Sequence, residues 1–292
     1  MFTGAMVALI TPFQDGEIDF RTLDELIDFQ LENGIDAIVP VGTTGESPTL
    51  SHPEHKKVIE RVIKTVAGKV PVIAGAGSNS TAEAIELTAF SKKVGADATL
   101  QVCPYYNKPT QEGFYQHFAA IAEEVDLPIV LYNIPSRCGG TGLTPETIAR
   151  LAEIENIVAI KEATGDMRQV SEVLRLCGDR LTVLSGDDFT TYTLMSLGGK
   201  GTISVSANVA PADVSAMCRA YETGNFTEAR ELHFKLEPLN KAMFFETNPV
   251  PVKTALSMMG KIEEEFRLPL CPMSDENREK LRDSLINYGV SL

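Results

Sequence analysis

Eight times in its first 222 residues the chain alternates a short apolar run with an amphipathic one, and this rhythm constrains the fold more than any single motif. The strand-like runs fall at 7–10, 37–41, 71–74, 98–102, 128–132, 157–160, 181–184 and 202–205. Between and after them, apolar residues recur at helical spacing over 20–31, 53–66, 81–94, 111–125, 145–152, 168–176, 189–197 and 212–221. Ser51 with Pro53 and Thr144 with Pro145 stand where helices begin, and Gly34, Gly68 and Gly95 where they end. Regular strand-helix alternation implies a parallel sheet with crossover helices, and eight is the closure number of a (β/α)8 TIM barrel. An open doubly wound sheet is the competing arrangement. Further helical patterns at 226–244, 250–259 and 277–286 predict a C-terminal helical region. The expected division is therefore a barrel domain over 1–222 and a helical appendage over 223–292.

Charge and composition narrow the partners. A formal net charge of −14 argues against nucleic acid or an anionic membrane surface. No stretch approaches the roughly 20 apolar residues of a membrane span, and the N-terminus lacks the basic region of a signal peptide. Cys103, Cys138, Cys177, Cys218 and Cys271 are scattered and without ligand spacing. Reduced thiols in the cytoplasm are expected, with no zinc site and no disulfide frame.

In a barrel the site lies at the C-terminal ends of the strands. The polar residues that look out of place fall there. Gly42-Thr43-Thr44-Gly45-Glu46-Ser47 follows the second strand, and Cys103-Pro104-Tyr105-Tyr106-Asn107 the fourth. Tyr132-Asn133-Ile134-Pro135-Ser136-Arg137 closes the fifth, and Ser185-Gly186-Asp187-Asp188 the seventh. The sixth, Ile157-Val158-Ala159-Ile160, runs into Lys161-Glu162. A lysine ending an apolar strand is rarely tolerated without a partner or a task. Strand alternation puts Lys161 on one face with Ala159 and Ile157. A desolvated amine is what Schiff-base chemistry needs. By contrast, Gly198-Gly199-Lys200-Gly201 precedes the eighth strand and reads as a turn on the opposite face.

Plainer readings stand beside these. A salt bridge to Glu162 or a loop aspartate would also explain Lys161. Gly42–Gly45 is either a tight turn or a nest of amides for an anion. Tyr132 suits a core, Tyr105-Tyr106 a packed loop, and Arg137 a surface. Gly75-Ala76-Gly77-Ser78-Asn79-Ser80 lacks the third glycine of a dinucleotide fingerprint. His52 and His55 open a helix without a third ligand, and His117 and His233 sit in helical patterns as structural residues. Neither Cys103 nor Cys138 has a base placed to make it a nucleophile.

Together these motifs, with Met1-Phe2-Thr3-Gly4 and Asn248-Pro249-Val250-Pro251-Val252-Lys253, resemble the dihydrodipicolinate synthase family essentially end to end. The Lys-Glu-Ala and Gly-Thr-Thr-Gly-Glu blocks are shared with a wider superfamily of pyruvate lyases. The Tyr-Asn-x-Pro-Ser-Arg block is the discriminating one. The resemblance implies that Lys161 forms a Schiff base with pyruvate, and that amides at Thr43-Thr44 and near Ile203 hold its carboxylate. It implies that Arg137 grips L-aspartate 4-semialdehyde. Tyr132, Thr43 and Tyr106 would relay protons, Tyr106 reaching in from an adjacent subunit of a homotetramer built as a dimer of dimers. It also implies that L-lysine binds as a feedback inhibitor at Ser47, His52, His55, Gly77, Asn79, Glu83 and Tyr105. No metal or organic cofactor is required. A lyase of the same superfamily acting on N-acetylneuraminate or a 2-keto-3-deoxy sugar acid is the nearer alternative. A non-catalytic metabolite-binding homologue is the other.

Overall fold

The computed structural model describes residues 2–292, so Met1 of the N-terminal block lies outside the described residues. In chain order the elements are β1 (Gly4–Ala8), β2 (Phe13–Gln14), β3 (Glu17–Ile18), α1 (Phe20–Glu32), β4 (Ala37–Val39), α2 (His52–Val66), β5 (Ile73–Gly75) and α3 (Thr81–Val94). There follow β6 (Ala98–Val102), α4 (Gln111–Glu124), β7 (Ile129–Asn133), α5 (Pro145–Leu151), β8 (Ile157–Glu162), α6 (Met167–Cys177), β9 (Thr182–Ser185), α7 (Thr191–Ser196), β10 (Gly201–Ser204) and α8 (Pro211–Glu222). Three further helices, α9 (Phe226–Ala242), α10 (Val250–Met258) and α11 (Asp275–Tyr288), complete the described chain.

Strand order decides between the two arrangements the alternation permits. Eight strands are hydrogen-bonded in the order β4-β1-β10-β9-β8-β7-β6-β5, so the first strand neighbours the last. That cyclic order belongs to a barrel, whereas a doubly wound sheet reverses at a switch point. The fold is a (β/α)8 TIM barrel with C-terminal helices.

The chain forms two compact units. Pro71–Ile203, with residues 2 and 3, makes one; Gly4–Val70 and Ser204–Leu292 make the other. In the first, Phe114 and Phe118 of α4, Ile148 and Leu151 of α5 and Val170 of α6 pack on Ile129, Leu131, Ile157 and Ile160 of β7 and β8. Truncating such a buried phenylalanine to alanine costs about 3–5 kcal/mol. The helix ends follow the sequence signals. Ser51 and Glu54 form a capping box at the start of α2, Thr144 caps α5 ahead of Pro145, and Gly95 (φ 93°) closes α3.

Two departures matter. β8 runs on through Lys161 and Glu162, because both pair with neighbours on each side: Tyr132 and Asn133 in β7, Leu184 and Ser185 in β9. The register between β7 and β8 also shifts after Ile129, so that Ile129 faces Ile157 but Val130 faces Ala159. Val158 is the extra residue. This corrects the expected alternation: Ala159 and Lys161 keep one face, while Ile157 joins Ile160 in the core beneath the helices.

Candidate active site

Lys161 is buried, with only 5% of its surface exposed, and its Nζ lies 4.3 Å from the centroid of the Tyr132 ring. Burial pulls the amine down to about 8; the Asp188 carboxylate opposes this and the Arg137 guanidinium adds to it. Asp188 opens a short 3-10 turn after β9 and is itself buried. Beside it Gly186 leaves the space the lysine occupies. A Cβ there would come 2.9 Å from Lys161 Cγ and Cε and 2.8 Å from the Ala163 Cβ. Neither Asp188 nor Gly186 was singled out from the sequence, although both stand in the strand-end block Ser185-Gly186-Asp187-Asp188.

Glu162 points to the other face and is engaged elsewhere. Its Oε1 accepts from the Thr164 amide (2.8 Å), and its Oε2 from Asn133 Nδ2 (3.1 Å) and Gln169 Nε2 (3.1 Å). Burial raises its pKa against those bonds. Asn133 in turn closes the loop that carries Arg137: its Oδ1 accepts from the Leu143 amide (3.0 Å) and its Nδ2 donates to the Leu143 carbonyl (3.3 Å). Arg137 ends the 3-10 turn Pro135–Arg137 and is exposed. Ile203, on β10, is buried.

Tyr106 stands apart, 89% exposed and at a left-handed φ of 69°. Such a backbone is an outlier for a bulky side chain. Cross-ties hold it: Asn107 Nδ2 donates to the Asn79 carbonyl (2.9 Å) and Asn79 Nδ2 to the Tyr105 carbonyl (3.2 Å). Ser78 Oγ donates to Glu83, whose charge helps burial raise the Tyr105 phenol. Gly77 admits no side chain, since a Cβ would lie 2.3 Å from the Val102 amide nitrogen. Gly77, Asn79, Glu83 and Tyr105 thus form one cluster. Cys138 Sγ donates to the Cys103 carbonyl (3.2 Å), and burial raises both thiols, Cys138 to about 11. Both stay protonated. His117 is lowered to about 4 by burial and meets Thr81 Oγ1 at 2.9 Å, as a structural histidine does.

In the second unit Gly42–Ser47 folds into consecutive turns. The Gly45 and Ser47 amides donate to the Gly42 carbonyl (3.1 and 3.3 Å) and the Glu46 amide to that of Thr43 (3.1 Å). Those closures leave out the amides of Thr43 and Thr44. Thr44 Oγ1 accepts from Asn248 Nδ2 (3.0 Å), and Glu46 Oε1 from Lys253 Nζ (2.5 Å). Ser47 begins a 3-10 turn, His52 begins α2 on its exposed side, and His55 is buried one turn later. The Lys253–Glu46 pair has no local sequence signal, since each residue stands inside its own motif and the two are 207 positions apart.

Among the described residues no group of three or more His, Cys, Asp or Glu could hold a metal ion, and no helix is long and apolar enough to cross a membrane.

The 4-hydroxy-tetrahydrodipicolinate synthase of Thermodesulfovibrio yellowstonii is 59% identical over 290 residues, 99% of both chains. The solved structure of a chloride-inhibited dihydrodipicolinate synthase from Acinetobacter baumannii, complexed with pyruvate, is 47% identical, with a TM-score of 0.98 over 100% of both chains. That of the Cyanidioschyzon merolae enzyme with lysine bound is 44% identical, with a TM-score of 0.96 over 99% of both. The Dihydrodipicolinate synthetase family model matches residues 1–287, and the chain belongs to that family.

Proposed function

We propose that the protein condenses pyruvate with L-aspartate 4-semialdehyde to 4-hydroxy-tetrahydrodipicolinate through a Schiff base on Lys161. The observation that supports this best is a buried amine, lowered to about 8, at the end of β8 beside Tyr132. An ordinary lysine, of pKa about 10.4, is only a few parts per thousand neutral near pH 8, whereas one lowered to about 8 is about half neutral there. The neutral amine adds to C2 of pyruvate and the carbonyl oxygen leaves as water. Loss of a C3 proton gives the enamine, whose C3 bonds to the aldehyde carbon while the aldehyde oxygen takes a proton. The amino group of the second substrate then attacks C2, closes the ring and displaces Lys161. Every bond change is supplied by the two substrates, the amine and proton donors, without a metal or organic cofactor.

For the remaining residues we propose the roles that the family resemblance implies. Thr43 and Thr44 amides, with Ile203, hold the pyruvate carboxylate, and Arg137 takes that of the semialdehyde in bidentate fashion. Tyr132, Thr43 and Tyr106 move protons as hydroxyl donors and acceptors. Tyr106, exposed on its own chain, serves a neighbouring subunit of a homotetramer. L-Lysine binds where Gly77, Asn79, Glu83 and Tyr105 cluster, with Ser47, His52 and His55 contributing; the Glu83 carboxylate meets its ammonium. The barrel domain over 1–222 carries the chemistry, 223–292 is its appendage, and the protein works in the cytoplasm.

Borohydride trapping with pyruvate tests the central step. A covalent adduct on Lys161 is expected, and its absence in folded protein would overturn the Schiff-base reading. Turnover of the semialdehyde, against cleavage of N-acetylneuraminate or 2-keto-3-deoxygluconate, separates this reaction from those of sugar-acid lyases. Calorimetric titration with L-lysine decides the second site, and a flat trace at millimolar ligand removes it.

A further inference from the structure

The turn Gly42–Ser47 is held at two points, Thr44 and Glu46, by one segment of the C-terminal region. Asn248 Nδ2 donates to Thr44 Oγ1 (3.0 Å), with both residues buried. Five positions on, in the first turns of α10, Lys253 Nζ donates to Glu46 Oε1 (2.5 Å), and neither side chain is exposed at all. The other Glu46 oxygen accepts from the Arg267 amide (3.3 Å). Lys253 Nζ also lies 4.3 Å from the centroid of the Phe13 ring and 5.2 Å from that of Phe266.

A buried ion pair is a poor way to gain stability, because desolvating both charges offsets their attraction. Here it acts on backbone geometry. Glu46 sits at φ 53° and Val41, at the other end of the turn, at φ 49°. Non-glycine residues keep such conformations only where their surroundings over-determine them. A carboxylate bonded on both oxygens and a threonine hydroxyl fixed by an amide supply that constraint, the first two residues beyond Thr44 and the second on Thr44 itself. We propose that Asn248 and Lys253 are positioning residues, which fix the Thr43-Thr44 amides in the orientation that takes the substrate carboxylate. The proposal rests on the carboxylate role given to those amides above.

The test compares pyruvate with pyruvamide, its uncharged amide, in borohydride trapping on the full-length protein. Two variants are used: Asn248→Ala, and the double variant Glu46→Gln with Lys253→Met, which removes both buried charges together. In folded variants the half-saturating pyruvate concentration rises about tenfold, the effect of one lost charge-assisted bond. That for pyruvamide moves less than about twofold, so the preference for the carboxylate shrinks. A merely structural role would shift both ketones equally. An unchanged pyruvate-to-pyruvamide ratio in folded Asn248→Ala overturns the proposal, even should the double variant fail to fold. Wild-type protein that traps both ketones equally well would instead bring down the carboxylate role of the turn, and the proposal with it.

Discussion

Lys161 Nζ lies 4.3 Å from the centroid of the Tyr132 ring, and the two residues face each other across neighbouring strands β8 and β7. An aromatic face at that distance favours the ammonium, as does Asp188, yet burial outweighs both and leaves the amine near 8. The rate of pyruvate adduct formation should therefore rise with pH through about 8 and level off above it. Asp188→Asn removes a charge that raises the amine, so the rising limb should move toward acid. Initial trapping rates across pH 6–10 measure both; a limb near the ordinary lysine value of about 10.4 would contradict the desolvated site.

The same burial weighs on stability. The folded amine titrates at about 8 and the unfolded one at about 10.4. Below pH 8 both states carry the proton, and the folded protein bears a desolvated ammonium at a cost of about 3 kcal/mol. Between the two values the unfolded chain holds the proton that the folded one has released, so stability rises with pH across that window. Lys161→Met, of similar shape and without charge, should unfold at higher urea than wild type at pH 7. The gap should narrow by pH 10. Equal gaps at both pH values would contradict the argument.

Gly186 has little freedom to change. A Cβ there meets Lys161 Cγ and Cε at 2.9 Å, so Gly186→Ala must push the lysine from its rotamer or shift the loop after β9. The expected result is a folded protein that has lost about tenfold or more in the rate of pyruvate trapping, the scale on which small misplacements of a reacting group act. Circular dichroism with trapping kinetics checks it, and an unimpaired rate would show that the lysine has room to spare.

What could be read in the chain depended on how local the signal was. Strand-helix alternation, the caps at Ser51 and Thr144 and the lysine at the end of β8 all lie within windows of a few residues, and the structure carries each. The hairpin β2–β3 was also within reach: Asp15 and Gly16, at φ 55° and 84°, are a two-residue hairpin turn in sequence as in structure. Val158 was not. A one-residue register shift depends on which residues of β7 pair with β8, and periodicity within one strand does not contain it. Lys253 and Asn248 were hidden for the same reason at larger scale, since their partners Glu46 and Thr44 lie 207 and 204 positions away. Asp188 and Gly186 gain meaning only once Lys161 stands beside them.

Arg137 divides the proposed chemistry into its two halves. It is exposed at the end of the turn Pro135–Arg137, on a loop that Asn133 ties shut at Leu143, and its charge also reaches Lys161. Arg137→Ala should leave pyruvate trapping in place while kcat/KM for L-aspartate 4-semialdehyde falls about a hundredfold, as expected for loss of a bidentate, charge-assisted contact. Because the guanidinium lowers the amine, the same variant should move the trapping limb toward alkaline pH. Arg137→Lys separates the two effects. It keeps a charge and should largely restore the limb, but it lacks the planar fork and should recover little of the semialdehyde specificity. Steady-state kinetics at saturating pyruvate, with trapping rates across pH for both variants, make the comparison. Unchanged kcat/KM for the semialdehyde in Arg137→Ala would remove Arg137 from substrate binding and leave it only an electrostatic influence on Lys161.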